Sequence, residues 1–600
     1  MKKENNRQNK FSIKMQKKLV VLFIFVLLAF AGLSARLFWL AREKENQYQK
    51  RVLSQQQYSS TSIPYRRGDI VDARGTRLAT SEKVYNLIVD AKVMNTEVSG
   101  KKPYLEPTLD ALGQYFDLDM AVIRQHVTTN TTSSWYVAAK RLNYDEISGF
   151  KEAQQENSNI KGIWIEEEYK RIYPYGSLAA DAIGFTSTDG QGSYGLEEYY
   201  NATLNGVNGR EYGYLNDDLA LERTVKAAID GNTIHSTIDA NIQMIVEKYL
   251  KQFMEEHKDE YQEGNGAENV GCIIMQVDTG EILAMASYPT YDLNDVRNTD
   301  SLLGSKMVEK VTKENGYYEI KKNGQIINAE TLAQMDDDAI LLNLNNLWKN
   351  IGQAMGKEEF CRYQQIFNFG LRSNVDLAGE ARTASLIYQA EDMGPTDLAT
   401  NTFGQNFNVT MIQMITSFCS LINGGYLYEP HMVSKITNAS GATVQNIEPR
   451  ILKQTISETT SEYIRQYCTA VVTEGTGKTA RPAGYMIGGK TGTAETIDQN
   501  THQRSDTDHV VSFIGFAPAD DPQIAIYVVV DRPNVSHQGD AKYATRIVRS
   551  ILTETLPYLN IFMTEELNDT EKAELEALQL EITTQYTQKP EKDGLDTEDG

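Results

Sequence analysis

GGKTGTAE, residues Gly488 to Glu495, is the stretch on which the reading of this 600-residue chain turns. On a strand at the edge of a sheet, Lys490 projects a cation into a cleft, and Thr491 and Thr493 present hydroxyls beside it. Gly492 lets a ligand lie close against the backbone, and a free N–H nearby can face a developing oxyanion. These groups suit a carboxylate-bearing acyl donor. None of them is a nucleophile, so the attacking atom must come from elsewhere in the chain.

Outward from that stretch, residues 510–516 and 523–530 read as strands. Residues 270–277 and 281–286 are apolar runs separated by Asp278-Thr279-Gly280, the signature of a hairpin. Residues 232–239 read as a further strand. Residues 241–256 have helical periodicity in Ile242, Ile245, Val246, Leu250 and Phe253. One antiparallel sheet built from both ends of this region is expected. Before it, strand-like runs such as 84–89 alternate with amphipathic helical runs such as 105–116, and a short helix is expected at 196–204 between glycine turns. Together these define an α+β multidomain chain.

The net charge of −22 is unevenly spread. Residues 1–18 carry seven basic residues against Glu4, leaving −28 on the remainder, which argues against nucleic acid as a partner. Residues 19–35, LVVLFIFVLLAFAGLSA, hold no charge, and Arg36 is followed by Leu37-Phe38-Trp39-Leu40. That run is long enough to span a bilayer if Arg36 snorkels, and the basic flank places the N-terminus in the cytoplasm. The competing reading is a signal peptide cleaved near Ala29-Phe30-Ala31, but the apolar run continues past that point. Residues 41–60, rich in Glu, Lys and Gln, read as a stalk. Residues 565–600 contain twelve acidic and three basic residues; 567–582 is compatible with a helix, and the end is expected to be a solvated, disordered tail.

Four cysteines (Cys272, Cys361, Cys419, Cys468) show no CxxC spacing; most stand in apolar surroundings and read as small buried hydrophobes, and the alternative, a disulfide outside the membrane, has no spacing to support it. The histidines do not cluster at metal-ligand spacing, and His502 and His509, flanking a polar loop, are expected to be solvated. No metal or cofactor is expected.

Several motifs in series carry a resemblance to a known family. RGDIVDARGTRLA (Arg67 to Ala79), RIYPYG (Arg171 to Gly176), GLEEYYNATLNGVNG (Gly195 to Gly209) and VDTGEILAMASYPTYDLN (Val277 to Asn294) come first. FGQNFNVTMIQ, INGGYLYEP, EGTGKTA, the Lys-Thr-Gly stretch and HVVSFIGFAPA (His509 to Ala519) follow in order. This series resembles the class B penicillin-binding proteins, membrane-anchored D,D-transpeptidases that cross-link peptidoglycan. Ala73-Arg74 departs from the family's usual Arg-Asn, and Asn374 and Ala378 stand where Gly and Pro are usual.

The resemblance implies a cytoplasmic basic tail (1–18), a transmembrane helix (19–40) and a stalk (41–60). A pedestal domain (61–230), a transpeptidase domain with a central antiparallel sheet flanked by helices (231–560) and the acidic tail (561–600) follow. It implies a cell-membrane protein with most of the chain outside the cell, and membrane proteins of the cell-wall machinery as partners. Lys490 and Thr491 would bind the terminal carboxylate of a stem peptide or a β-lactam, with Gly492 beside them and the backbone N–H near Thr493 completing an oxyanion hole.

The family's nucleophile is the serine of Ser-x-x-Lys, where spacing i to i+3 puts both side chains on one helix face. In the interval 295–366, where it belongs, Ser301 has Gly304 at i+3 and Ser305 has Val308, so the motif is absent there. The formal matches at Ser99, Ser148 and Ser158 all lie in the pedestal. Asn343-Leu344-Asn345 is the nearest approach to the family's Ser-x-Asn. Leu347-Trp348-Lys349-Asn350 resembles the run before the nucleophile segment, and Ile351 to Gly356 resembles the run after Ser-x-Asn. The join at Asn350-Ile351 therefore reads as the loss of several tens of residues carrying both motifs and the domain's central helix. A chain impaired in catalysis, or a non-catalytic scaffold of the same machinery, is expected, with residues 300–360 poorly determined.

Overall fold

The computed structural model describes residues 17–18, 20–24, 26–36, 59–215, 221–298, 310–314, 317–322, 325–326, 353–402, 404–497 and 504–587. The chain divides into two compact units. One comprises Met1–Pro64 and Val207–Ile229. Its strands Ser59–Ile63, Gly209–Leu215 and Leu221–Lys226 form an antiparallel three-stranded sheet. Residues 20–24 and 26–36 are helical with exposed side chains. Among the described residues no helix is long and apolar enough to cross a membrane. The expected span at 19–40 falls partly outside those residues, as do most of the basic tail and nearly all of the stalk.

The other unit, Tyr65–Gly206 with Asp230–Gly600, contains two large sheets. Its strands begin with β1 (Ile70–Val71), β2 (Arg77–Val89), β3 (Tyr136–Leu142), β4 (Ile163–Ile172) and β5 (Thr233–Ser236). They continue with β6 (Ala267–Gln276), β7 (Ile282–Tyr288), β8 (Val433–Thr437) and β9 (Thr443–Asn446). The last are β10 (Gly488–Ile497), β11 (Arg504–Ala517) and β12 (Ile524–Pro533). The first sheet runs β9-β8-β5-β1-β2-β3, with β4 also paired to β2. The second is antiparallel, in the order β7-β6-β12-β11-β10.

The second sheet is the one expected from the strand runs at both ends of the domain. Its middle strands are nearly continuous apolar runs because both faces are covered. Val270, Cys272 and Ile274 point with Val528 and Val530 into a core shared with helices α1 (Ala240–Glu256) and α3 (Lys542–Tyr558). The alternate residues Ile273 and Met275 face a second core with helix α2 (Met411–Ile422). That core also contains Ile70, Leu78, Tyr173 and Ile183. The residues of β2–β4 that face the other way pack on helices Leu105–Tyr115, Met120–Thr129 and Tyr144–Glu156 around Leu87, Leu112, Ile147 and Phe150.

A buried ionic knot holds the first motif in place. Arg67 Nη2 lies 2.6 Å from Glu197 Oε2, and Arg171 Nε lies 2.7 Å from Glu197 Oε1. Glu197 is fully buried, and Tyr173 adds its hydroxyl at 3.2 Å. The three departures from the family pattern each have a local account. Arg74 Nε donates to Asp239 Oδ2 at 2.8 Å, with its guanidinium 4.6 Å from the centre of the Tyr558 ring. Asn374 has φ of 63°, a left-handed conformation that Asn adopts more readily than most residues other than Gly. Ala378 donates its backbone N–H to Gly195 O at 3.4 Å, a bond proline could not make.

Two expectations are corrected. His509 is buried rather than solvated, because β11 begins at Arg504 and carries it into the sheet; its backbone N–H donates to Gln538 Oε1 at 2.9 Å. His502 lies outside the described residues. Asp569–Thr587 is helical, as the run 567–582 allowed, so the disordered tail expected over 561–600 does not extend across these residues. Acidic residues in it and just before it find cations: Arg481 meets Glu565, ahead of the helix, at 2.6 Å and Glu571 at 2.8 Å, and Arg549 meets Glu574. Residues 588–600 lie outside the described residues, as do the Asn343-Leu344-Asn345 run and the join at 350–351. Cys272, Cys361 and Cys419 are buried, Cys468 is half-buried, and all four are free.

Candidate substrate-binding site

Among the described residues strand β10 is the last strand of its sheet, paired on one side with β11. The two glycines that open GGKTGTAE are dictated by that neighbour. Gly488 lies opposite Phe516 and Gly489 opposite Gly515. A Cβ on Gly488 would fall 2.3 Å from Phe516 Cζ, and one on Gly489 2.3 Å from Phe513 Cζ. The aromatic rings thus lie directly over bare backbone. A Cβ on Gly492 would fall 2.5 Å from the hydroxyl of Ser512, its partner across the ladder.

The four residues singled out from the sequence are brought together on this strand. Lys490 is exposed, its Nζ donating to Thr491 O at 2.6 Å. Desolvation by its surroundings holds the ammonium below the usual lysine pKa, opposed by nearby Cys468. The Thr491 and Thr476 hydroxyls lie 2.9 Å apart. The exposed Thr493 donates its hydroxyl to Gly539 O at 3.2 Å. The strand therefore offers a cation, two hydroxyls and an open backbone border within four residues.

Two neighbours were not assigned roles from sequence. Cys468 sits on the helix Glu458–Thr473, which packs on this strand; burial raises its thiol pKa to about 11, with Lys490 lowering it. Thr476 belongs to EGTGKTA, which stands in the sequence only as one motif of the series. The formal Ser-x-x-Lys matches remain on pedestal elements. Ser148, for example, lies in helix Tyr144–Glu156 with its hydroxyl donating to Asp145 O at 3.0 Å.

Near the join, helix Lys357–Ile366 forms a separate cluster of Cys361, Met393 and Leu398. An apolar hollow of about 300 Å³ lies beside it, lined by Met355, Phe360, Tyr363, Phe367, Phe369 and Phe407. Gln364, 5% exposed, also borders the hollow, and among the described residues neither of its amide atoms has a hydrogen-bond partner.

An antiparallel sheet with a Lys-Thr-Gly edge strand, covered by helices on both faces, defines the class of penicillin-interacting acyl-transfer domains. Two family models match the chain. The penicillin-binding protein transpeptidase domain matches residues 337–553, and the penicillin-binding protein dimerisation domain matches residues 62–236. The chain is 29% identical to stage V sporulation protein D of Bacillus subtilis over 543 residues, 84% of this chain and 80% of the relative. It is 24% identical to the peptidoglycan D,D-transpeptidase FtsI of Escherichia coli, covering 89% of this chain and 91% of that protein. In fold it is similar to penicillin-binding protein 2X of Streptococcus thermophilus, with a TM-score of 0.63 and 20% identity. That match covers 83% of this chain and 80% of that one. The chain belongs to the class B penicillin-binding proteins.

Proposed function

We propose that this chain is a membrane-anchored cell-wall protein that binds an acyl donor at its Lys-Thr-Gly strand but does not form a stable acyl-enzyme. The donor is the D-Ala-D-Ala end of a peptidoglycan stem peptide, or a β-lactam that mimics it. Lys490 and Thr491 hold the terminal carboxylate, Gly492 admits the ligand to the backbone, and the N–H near Thr493 faces the carbonyl oxygen. The observation that carries the proposal is the exposed Lys490 on an edge strand in a chain with no Ser-x-x-Lys between residues 295 and 366. Gln364, whose amide has no partner among the described residues, and the hollow beside it support the loss of a packing element near the join. Without the attacking serine, the site loses the group whose removal costs orders of magnitude in rate.

Purified full-length protein is expected to give no covalent band with a fluorescent penicillin. A band abolished by unlabelled penicillin would overturn the proposal.

The second reading is a non-catalytic scaffold. The pedestal retains a complete core and the buried Arg67–Glu197–Arg171 knot, although neither contributes to acyl transfer. With the apolar run at 19–40 as a single anchor and the N-terminus in the cytoplasm, the pedestal would stand outside the cell among other membrane proteins of the cell-wall machinery. A pull-down from cells should recover the same partners with Lys490→Ala as with the unaltered chain. Loss of those partners in the variant would count against the scaffold.

A further inference from the structure

The sheet face formed by β2, β3 and β4 on the side away from the pedestal helices carries two tryptophans. Trp135 is 56% exposed and Trp164 is 36% exposed. Trp164 lies opposite Ile88 in the ladder and covers that buried side chain. Both indole N–H groups donate to the same atom, Glu166 Oε1, each at 3.1 Å. The shared acceptor fixes the two rings next to one another and next to the carboxylate. Both ring systems keep their π surface for something else.

The charges around this cluster are uneven. Glu167 is paired with Lys83 at 2.9 Å, and Glu168 with Arg141 at 3.4 Å and the Asn86 amide at 2.6 Å. Glu166 is half-buried, and its hydrogen-bond donors are two neutral indoles. Among the described residues no lysine or arginine forms an ion pair with it, and none lies over either indole. A carboxylate bordered by two exposed indoles, without a cation, is a receptor for one: the ring quadrupoles and the carboxylate attract the same charge.

We propose that Trp135, Trp164 and Glu166 form a docking site for a lysine or arginine side chain presented by a partner polypeptide. The open sheet face favours a polypeptide over a free amine. A lone ammonium there keeps most of its water, whereas a chain laid across the face adds contacts with the Arg141–Glu168 pair and Asn86, which share that face by strand alternation. Tryptophan is also the residue most enriched at positions that dominate protein–protein affinity. This site is independent of the Lys-Thr-Gly strand and of whether the chain acylates.

The test is a titration of the detergent-solubilised full chain with acetyl-tetralysine amide, followed by tryptophan emission at low salt. Saturable binding is expected, at least tenfold weaker in Glu166→Gln and lost in Trp135→Ala. Trp135→Phe, which keeps a ring but not the N–H, should bind between these limits with an unchanged melting curve. It carries the test if the alanine variant does not fold. Glu462→Gln, an exposed glutamate elsewhere, should bind as the unaltered chain does. Equal binding by Glu166→Gln would show only general attraction to an acidic protein and would overturn the proposal. So would an emission change produced by a neutral chito-oligosaccharide and not by tetralysine.

Discussion

At the scale of single residues, Gly489 and Lys490 have opposite duties. Gly489 is structural: an alanine Cβ would lie 2.3 Å from Phe513 Cζ and 2.7 Å from Ile514 O, and the backbone oxygen cannot move aside cheaply. Gly489→Ala should lower stability by about 1–3 kcal/mol, the usual cost of overpacking, read as a shift of the thermal midpoint. Lys490 makes its hydrogen bond to the adjoining carbonyl of its own strand, so Lys490→Ala should leave that midpoint unchanged. Ligand binding should respond differently. A carboxylate prefers the ammonium form, and the folded protein lowers the pKa of Lys490. Affinity for a non-reactive D-Ala-D-Ala peptide should therefore fall with rising pH below the ordinary lysine range, as calorimetry across a pH series would report. Affinity that is flat until the ordinary lysine pKa would remove Lys490 from the role.

At the scale of elements, a buried acid joins the short helix Ala180–Ile183 to strand β7. Asp181 accepts the backbone N–H of Ser287 at 2.7 Å, and burial raises its pKa. An acid with a raised folded-state pKa binds its proton more tightly in the native chain than in the unfolded one. Its contribution is therefore most favourable at low pH and weakens as pH climbs from the unfolded value near 4 through the folded value. Asp181→Asn should abolish that slope and raise the melting temperature at neutral pH relative to the unaltered chain. An unchanged slope would mean that another group sets it.

The elements themselves were largely legible, because apolar runs and Asp-Thr-Gly punctuation are local signals: the hairpin of β6 and β7 and the helix Ala240–Glu256 emerge within a residue or three of expectation. What could not be read was long-range. Arg74 meeting Asp239 and Tyr558, Thr476 meeting Thr491, and the burial of His509 depend on which distant strands become neighbours.

At the scale of the molecule, the expected boundary between residues 230 and 231 runs through shared structure. Strand β1 pairs in parallel with β5, and Ile70 and Leu78 lie in the same core as Ile273, Phe418 and Phe516. A fragment starting at residue 231 would leave that apolar surface uncovered, at roughly 25 cal/mol per Å². It should express as aggregate or melt well below the full chain; a fragment with the same midpoint would show the cores to be energetically separate.

The open border of β10 has a consequence for solubility. Among the described residues the outer edge of this ten-residue strand has no paired strand, and such an edge is a template on which a second copy of the same strand could register. Lys490 stands in that row, and its charge discourages such stacking. The ammonium proposed to hold a carboxylate is thus also placed to oppose pairing between two copies of this strand.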